Sequence, residues 1–594
     1  MDARKRMALV LSALLFGMGG STAFAEAQYT ARDKNGQIVK QGTTTENEEF
    51  SAFDGLEYEF NGEHQVSDWQ NTAYVFGDRT KIHINGDVIN HKQGTSIEVT
   101  DQASAVINGN LYGDVRNFSA ALKIFGDIEA EPNGGMGAVF ATGENGNRIK
   151  YRTQTTITGN VQSTGIGVSA SPGGHINITG NVKAGTNGVE VGDISEPEGV
   201  DSAAVEVQGN ITAQENGIVV YQKNPDALDG LYNIWNDTFC VKVRGNVRGE
   251  VNGIDTYGDV SIEGNVIGGW CAVALNGKAD VQIVGNVTAT KKEIDYSDVD
   301  YYNEYGEWRM YCGDAIKSFW NDGQPKDRKI KVIGDVTATG DRILMECGKA
   351  IVEGNVRSQY GNCVNVLDGL PVSIDIKGNV EGNVRWSAIS IMPNAEDQVI
   401  VRGKIEARGK QSAVDIYDVA FDYDPAETLC NLPQIMVKEI TVESGDYFTA
   451  TVHHLGVEEW LEDAKALAEA TAKAAWYIVD VNQPTNGEIE VKGTSVKEGL
   501  LVAHEGDKLT VTGAPKKGYR LTGIDAGSKA LVTENEDGTY TVTVERGGDV
   551  TISALFEAMP EMPETGDQAQ IERTVFFMAA SAAMLAFLRK TKRE

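Results

Sequence analysis

The chain has 594 residues, with 53 Lys and Arg against 85 Asp and Glu and a formal net charge of −32, a balance that excludes the basic stripe a nucleic-acid surface needs. It carries 67 Gly but only 13 Pro, which suits sharp β corners and argues against a Pro-rich disordered stalk. Hydrophobic residues make up 41%, enough for a core spread along an extended fold.

The first 25 residues read as a secretory signal peptide. Arg4, Lys5 and Arg6 form a positive start, Met7 to Met18 an apolar run, and Ala23-Phe24-Ala25 a small-x-small site with cleavage before Glu26. The alternative is an N-terminal membrane anchor, for which this run is short. Residues 26–80 keep β character without the repeat that follows. Leu56-Glu57-Tyr58-Glu59-Phe60 alternates apolar and acidic residues, and Thr72 to Phe76 is a second candidate strand. A repeat array needs its first edge covered, so this segment is assigned as an N-terminal cap.

From about residue 81 to 420 one phrase recurs: apolar, any, apolar, any, Gly, then Asn or Asp, then an aliphatic. Val205-Glu206-Val207-Gln208-Gly209-Asn210-Ile211 is one copy and Val241 to Val247 another. The glycines are Gly86, Gly109, Gly126, Gly159, Gly180, Gly209, Gly245, Gly264, Gly285, Gly334, Gly354, Gly378 and Gly403; spacings such as Gly245 to Gly264 to Gly285 and Gly334 to Gly354 to Gly378 to Gly403 run from 19 to 25 residues, a solenoid period. Alternation with β-branched residues gives a strand with one inward face, and Gly followed by Asn or Asp gives a corner. The residue after the Gly is Asn nine times, Asp three times (Asp87, Asp127, Asp335) and Lys once (Lys404). Stacked amides at such corners are placed to hydrogen-bond from rung to rung. A second phrase follows about eight residues on, as in Gly188-Val189-Glu190-Val191 and Gly217-Ile218-Val219-Val220. Two strands and their corners then account for about 20 residues.

This arrangement resembles the right-handed parallel β-helix of the pectate-lyase-like and bacterial surface-protein superfamily. The resemblance implies an all-β solenoid over residues 81–420, a rod of roughly 60 Å if its thirteen rungs stack at strand spacing.

Two insertions interrupt the rungs. Residues 221–239 bring Tyr221, Tyr232 and Trp235 among Asp226, Asp229 and Asp237, and residues 291–313 bring Tyr296, Tyr301, Tyr302, Tyr305 and Trp308 among Asp295, Asp298, Asp300 and Glu304. Aromatic faces beside carboxylates suit a carbohydrate; the competing reading is that the rings pack down on the rod as small cores. Tyr221, Tyr232, Trp235, Tyr301, Tyr302, Tyr305 and Trp308 are the candidate ligand contacts. Beyond the rungs, Val457 to Trp476 is Ala- and Glu-rich, with Trp460, Leu461, Ala464 and Leu467 at helical spacing. Residues 421–483 are therefore read as a C-terminal cap with one helix.

Residues 484–558 carry five further β segments, including Gly487 to Val491, Gly506 to Val511, Pro515-Lys516-Lys517-Gly518-Tyr519, Gly538 to Val542 and Asp549 to Phe556. Their order resembles the divergent internalin-type B-repeat module of Gram-positive surface-protein stalks. The family usually places an aromatic shortly after the Gly-Tyr, where this chain has Leu521-Thr522-Gly523-Ile524.

Residues 559–594 hold Met562-Pro563-Glu564-Thr565-Gly566, an apolar run from Val575 to Leu588 and a basic end, Arg589 to Arg593. The pattern resembles the cell-wall sorting signal of Gram-positive surface proteins, with Met562 in place of the usual Leu. The resemblance implies cleavage between Thr565 and Gly566 by a sortase and covalent attachment of Thr565 to peptidoglycan, so that the protein is secreted and anchored to the cell wall. The basic end agrees with the positive-inside rule. A plain C-terminal membrane anchor is the alternative, although 14 apolar residues are short for a span.

No cofactor or metal-ligand pattern stands out. The six cysteines (Cys240, Cys271, Cys312, Cys347, Cys363, Cys430) show no CxxC, and a Cys271–Cys312 disulfide is compatible with export. Asp280, Asp375 and Asp415 are single outward acids, and His453-His454 has no accompanying Gly-x-Ser-x-Gly. The sequence therefore points to a surface rod for adhesion or for host or glycan contact without its own chemistry. The alternative is an extracellular polysaccharide lyase or glycoside hydrolase, with a cleft at the insertions and Lys291 or Arg309 as a base.

Overall fold

The computed structural model describes residues 27–560, apart from segments 45–46, 67–70, 91–93, 132–136, 144–152, 193–202, 222–239, 292–312, 319–327, 341–342, 368, 421–424 and 455–460. Contacts divide the chain into two units, one ending at Ala475 and one beginning at Trp476.

The first unit is a parallel β-solenoid in which each full rung has three strands. Ala204–Gln208 lies on face one, Ile211–Ala213 on face two and Ile218–Val220 on face three. Each pairs in parallel with its counterpart in the next rung, Cys240–Arg244, Val247–Gly249 and Asn252–Thr256. The sequence reading of two strands per rung thus missed face two. A strand of three residues, such as Ile211-Thr212-Ala213, is too short to display alternation, and it follows the corner so directly that it merges with the turn signal. The corners after faces one, two and three are called first, second and third below.

Inward residues stack as registered aliphatic columns. Val205, Val241, Val260, Val281 and Ile330 form one such column on face one, each at most 1% exposed. Burying one Val or Ile contributes roughly 1.5–3 kcal/mol, so the columns supply the core that no single rung could form. Fifteen strands from Glu57–Asn61 to Gln434–Val442 make up face one, about 70 Å of stacked backbone at strand spacing.

The first corner is the most regular feature. A Cβ built on Gly245 would lie 2.2 Å from the carbonyl oxygen of Gly209, and one on Gly209 2.1 Å from that of Gly180. Only glycine allows successive corners to approach so closely. The next residue completes a row of acceptors. The N–H of Asn110 donates to Asp87 Oδ1 (2.7 Å), Asp127 to Asn110 (3.0 Å), Asn160 to Asp127 (2.7 Å), and Asn181 to Asn160 (3.0 Å). The row runs on through Asn210, Asn246, Asn265, Asn286, Asp335, Asn355 and Asn379 to Lys404, whose N–H donates to Asn379 Oδ1. Side chain to backbone is the recurring bond, which explains why Asp substitutes freely for Asn: both carry Oδ1.

The rungs begin earlier than residue 81. Glu57–Asn61 pairs in parallel with Lys81–Asn85, and Phe50–Ala52 with Ala73–Val75. Both strands expected in a cap are thus rungs, and the covering role falls to the antiparallel pair Gln28–Arg32 and Ile38–Thr43, the first laid against Glu57–Asn61. Phe50 anchors this end against Tyr29, Tyr58 and Phe60, an aromatic core that masks the aliphatic repeat in sequence. At the other end Gln434–Val442 and Phe448–His454 are also rung strands. A short helix α1 (Pro425–Cys430) precedes them. The expected capping helix is α2 (Leu461–Ala474); it packs against Phe448–His454 and buries Leu467 completely. Trp460 lies outside the described residues.

The second unit starts at Trp476 rather than 484, because Trp476–Asn482 is one of its central strands. It pairs antiparallel with Leu500–Ala503 and parallel with Val550–Ala558. A second sheet joins Gly487–Lys492, Lys508–Pro515, Tyr540–Val544 and Ala530–Glu534. Tyr477, Leu509, Val511, Val542 and Ile552 are buried, and Ile524 is 8% exposed at the place where the resemblance led one to expect an aromatic. Among the described residues no helix is long and apolar enough to cross a membrane. The signal-peptide residues Ala23, Ala25 and Glu26, the motif Met562, Pro563, Glu564, Thr565 and Gly566, and the apolar run 575–588 lie outside them.

Candidate functional site

The three faces differ in what they show to solvent. On face one the outward side chains of Glu59, His83, Lys123, Lys242, Gln282 and Lys331 are exposed, and on face two those of Glu129, Gln162, Lys183, Thr212 and Arg248. Face three is different. Its outward column runs in register Phe140, Ser169, Glu190, Val219, Asp255, Ala274, Lys317, Leu344. None of these residues is exposed, and Ser169, Glu190, Val219 and Leu344 are at most 8% exposed.

Two carboxylates sit in this sheltered column, two rungs or about 10 Å apart along the face. Glu190 Oε1 accepts a 2.6 Å bond from Asn187 Nδ2, and the Tyr221 side chain also bonds to it. Asn187 belongs to a short ladder of its own on the second corner: its Oδ1 accepts from the N–H and Nδ2 of Asn216, whose Oδ1 accepts the N–H of Asn252. Asp255 Oδ1 accepts a 2.7 Å bond from Asn276 Nδ2. Burial is the largest influence on both carboxyls and pushes each pKa up, while the amide bonds pull it down. Lys317 follows Asp255 by two rungs. The face thus offers carboxyls, amides and a cation in one partly desolvated strip.

Of the residues singled out from sequence, Tyr221 is placed here. It is half-buried beside Glu190, and its N–H donates to Val191 O. Tyr232, Trp235, Tyr301, Tyr302, Tyr305 and Trp308 lie outside the described residues, as does Arg309. The roots of the two insertions are described, and they differ. Residues 222–239 leave from the third corner, between Ile218–Val220 and Cys240–Arg244; residues 292–312 leave from the second corner three rungs on, between Val287–Ala289 and Asp314–Ser318. The two roots therefore lie at opposite edges of face three. At the root of the second, Lys291 Nζ lies 3.5 Å from the centre of the Trp270 ring, a cation–π contact.

The remaining acids are engaged. Lys329 pairs with Asp280 at 2.8 Å, Arg402 makes a two-pronged pair with Asp375, and Thr449 and Thr451 donate to Asp415. Cys271 is buried as a free thiol rather than a disulfide partner, and Cys312 lies outside the described residues. Glu190 and Asp255 were missed in sequence because each occupies the middle of a Val-x-Val-like phrase, where one outward acid is ordinary; only the register reveals a column with no exposed residue from Phe140 to Leu344.

No curated protein and no solved structure matches the chain. Residues 477–560, nearly all of the described second unit, match the family model of the divergent InlB B-repeat domain, the module that the order of strands in that region resembles.

Proposed function

We propose that this chain is an extracellular rod, secreted and anchored to a Gram-positive cell wall, whose third face contacts glycans without transforming them. The observation that carries the reading is the sheltered outward column around Glu190 and Tyr221, flanked by the roots of two insertions rich in aromatic and acidic residues. Hydroxyl-rich ligands suit buried carboxylates and amides held in a fixed row, with aromatic faces beside them. The coil is taken as right-handed, following the general preference of parallel crossovers. The location rests on sequence: the signal-type start, and Met562 to Gly566 with the apolar and basic segments after it, from which a sortase would join Thr565 to peptidoglycan. The divergent B-repeat match supports a spacer between the solenoid and that anchor. A glycan array with the purified protein, run with a reducing-sugar release assay on each glycan bound, tests the reading. Binding without release supports it; no binding to any glycan or cell-surface polysaccharide overturns it.

One observation favours a hydrolase as the second reading. Glu190 and Asp255 share a column and a desolvated setting, and their separation of about 10 Å along the face is near the wider carboxyl spacing, the one inverting glycoside hydrolysis uses. Sugar release abolished by both Glu190→Gln and Asp255→Asn would establish it in place of the first.

A further inference from the structure

The second corner carries a feature that neither the insertions nor face three explains. Between face-two strand Val380–Glu381 and face-three strand Ile389–Ile391, the chain turns through Asn383-Val384-Arg385-Trp386. Val384 is 64% and Trp386 52% exposed, in contrast to the buried Asn383 that precedes them. Asn383 fixes the turn from both sides. Its Oδ1 accepts the N–H groups of Arg385 (2.7 Å) and Trp386 (3.0 Å), and its Nδ2 donates to Ser358 Oγ (2.9 Å) and Gly361 O (2.6 Å) in the preceding rung. Arg385 lies over the Tyr360 ring of that rung at 5.0 Å. Among the described residues no ring and no cation lies on the Trp386 indole, whereas Trp270 and Tyr360 on the same corner each carry a cation on one face.

We propose that Trp386, with Val384 beside it and Tyr360 and Arg385 behind, is a stacking platform for a neutral hexopyranose glycan. The inference rests on the glycan-contact reading but places this contact about seven rungs, or roughly 35 Å, from Glu190. A rigid indole offered on a locked turn loses little conformational entropy on binding, and its face suits the C–H side of a pyranose. Gly409 of the next rung lies against Val384, and exposed Arg408 and Lys410 on either side of it, with exposed Gln359 in the preceding rung, bring donors to this corner. A protein partner fits less well: such interfaces need about 800 Å² from each side, and among the described residues of this corner only Val384 and Trp386 are strongly exposed apolar residues. An anionic polymer is disfavoured because cations of this corner are engaged, Arg357 and Arg408 with Glu381 and Arg385 with the Tyr360 ring.

The test is binding of the purified protein to cellohexaose, mannohexaose and chitohexaose, with Trp386→Ala, Trp386→Phe and the control Lys242→Ala compared. Trp386 is exposed, so its replacement leaves the fold intact, which thermal melting checks. The expected result is binding of at least one oligosaccharide, weakened tenfold or more by Trp386→Ala, partly kept by Trp386→Phe, and unchanged by Lys242→Ala on face one. Binding that ignores Trp386→Ala overturns the platform while leaving glycan contact in place. Binding of none of the three overturns the platform, whereas the wider array decides the glycan-contact reading.

Discussion

Asn210 Oδ1 accepts the backbone N–H of Asn246 at 2.9 Å, one link in the row of corner acceptors that runs from Asp87 to Lys404. Removing that oxygen leaves the Asn246 N–H to water at an exposed corner. Asn210→Ala is therefore expected to destabilise the solenoid by about 1 kcal/mol. Asn210→Asp keeps the acceptor, as Asp127 does naturally, and is expected to be nearly neutral at pH 7. Urea denaturation of the two variants checks this; equal losses would show that the side-chain oxygen is not what matters.

The glycine before it is far less forgiving. In Gly245→Ala the new Cβ would meet the Gly209 carbonyl oxygen at 2.2 Å, at a backbone φ of +154° that L residues rarely adopt. Both neighbours are backbone and cannot rotate away. The expected cost is about 3 kcal/mol or more, read as a large drop in melting temperature or in soluble yield. A melting temperature within a degree or two of the parent would contradict the account.

Much of this was legible in the sequence, and the reason is physical. The first corner demands Gly for approach and Asx for its oxygen, so each rung prints the same two letters. Face one alternates over five residues and is read directly, and the capping helix shows its 3.6-residue period around Leu467. Face two, with strands such as Ile211–Ala213, imposes only one inward aliphatic and one small residue, too little constraint to leave a pattern. The sheltering of Glu190 is illegible for a different reason, since it depends on the folding of the rung that brings Asn187 and Tyr221 against it. Trp386 also gave no signal, because a single exposed aromatic matters only once its turn is known to be fixed by Asn383.

Asp114 offers a test of buried charge. It is 1% exposed, neither carboxylate oxygen has a hydrogen-bond partner, and Arg116 stands 3.7 Å away, too far for a hydrogen bond. Burial pushes its carboxyl up to about 6, with Arg116 pulling the other way. The folded protein therefore holds this proton more tightly than the unfolded chain. Its contribution is fully favourable below about pH 4, declines as pH rises towards 6, and stays lost above that. Asp114→Asn is expected to be more stable than the parent by about 1–3 kcal/mol at pH 7 and nearly equal to it at pH 4. Denaturation at both pH values decides it; a variant equally destabilised at both would mean that the carboxylate serves packing instead.

The thiols should separate by burial. Cys430 is exposed, whereas Cys271, Cys347 and Cys363 are buried, and burial raises the Cys271 thiol pKa. Because the thiolate is the reactive form, iodoacetamide at pH 8 followed by peptide mass spectrometry is expected to label Cys430 first and Cys271 only after denaturation. Rapid labelling of Cys271 in the native protein would mean that its rung opens.

The first corner has a consequence for how such a chain can change. Each long interruption of the rungs, at 144–152, 193–202, 222–239, 292–312 and 319–327, falls at the second or third corner. The first leaves no room for a side chain at its glycine and keeps an oxygen acceptor at the next position in each rung from Asp87 to Asn379. It behaves as a spine of fixed length on which rungs are threaded, while the opposite edges accept cargo. New recognition loops can then be exchanged between Tyr221 and Cys240, or between Lys291 and Gly313, without renegotiating the core, so the surface a rod presents and the rod that presents it are free to diverge separately.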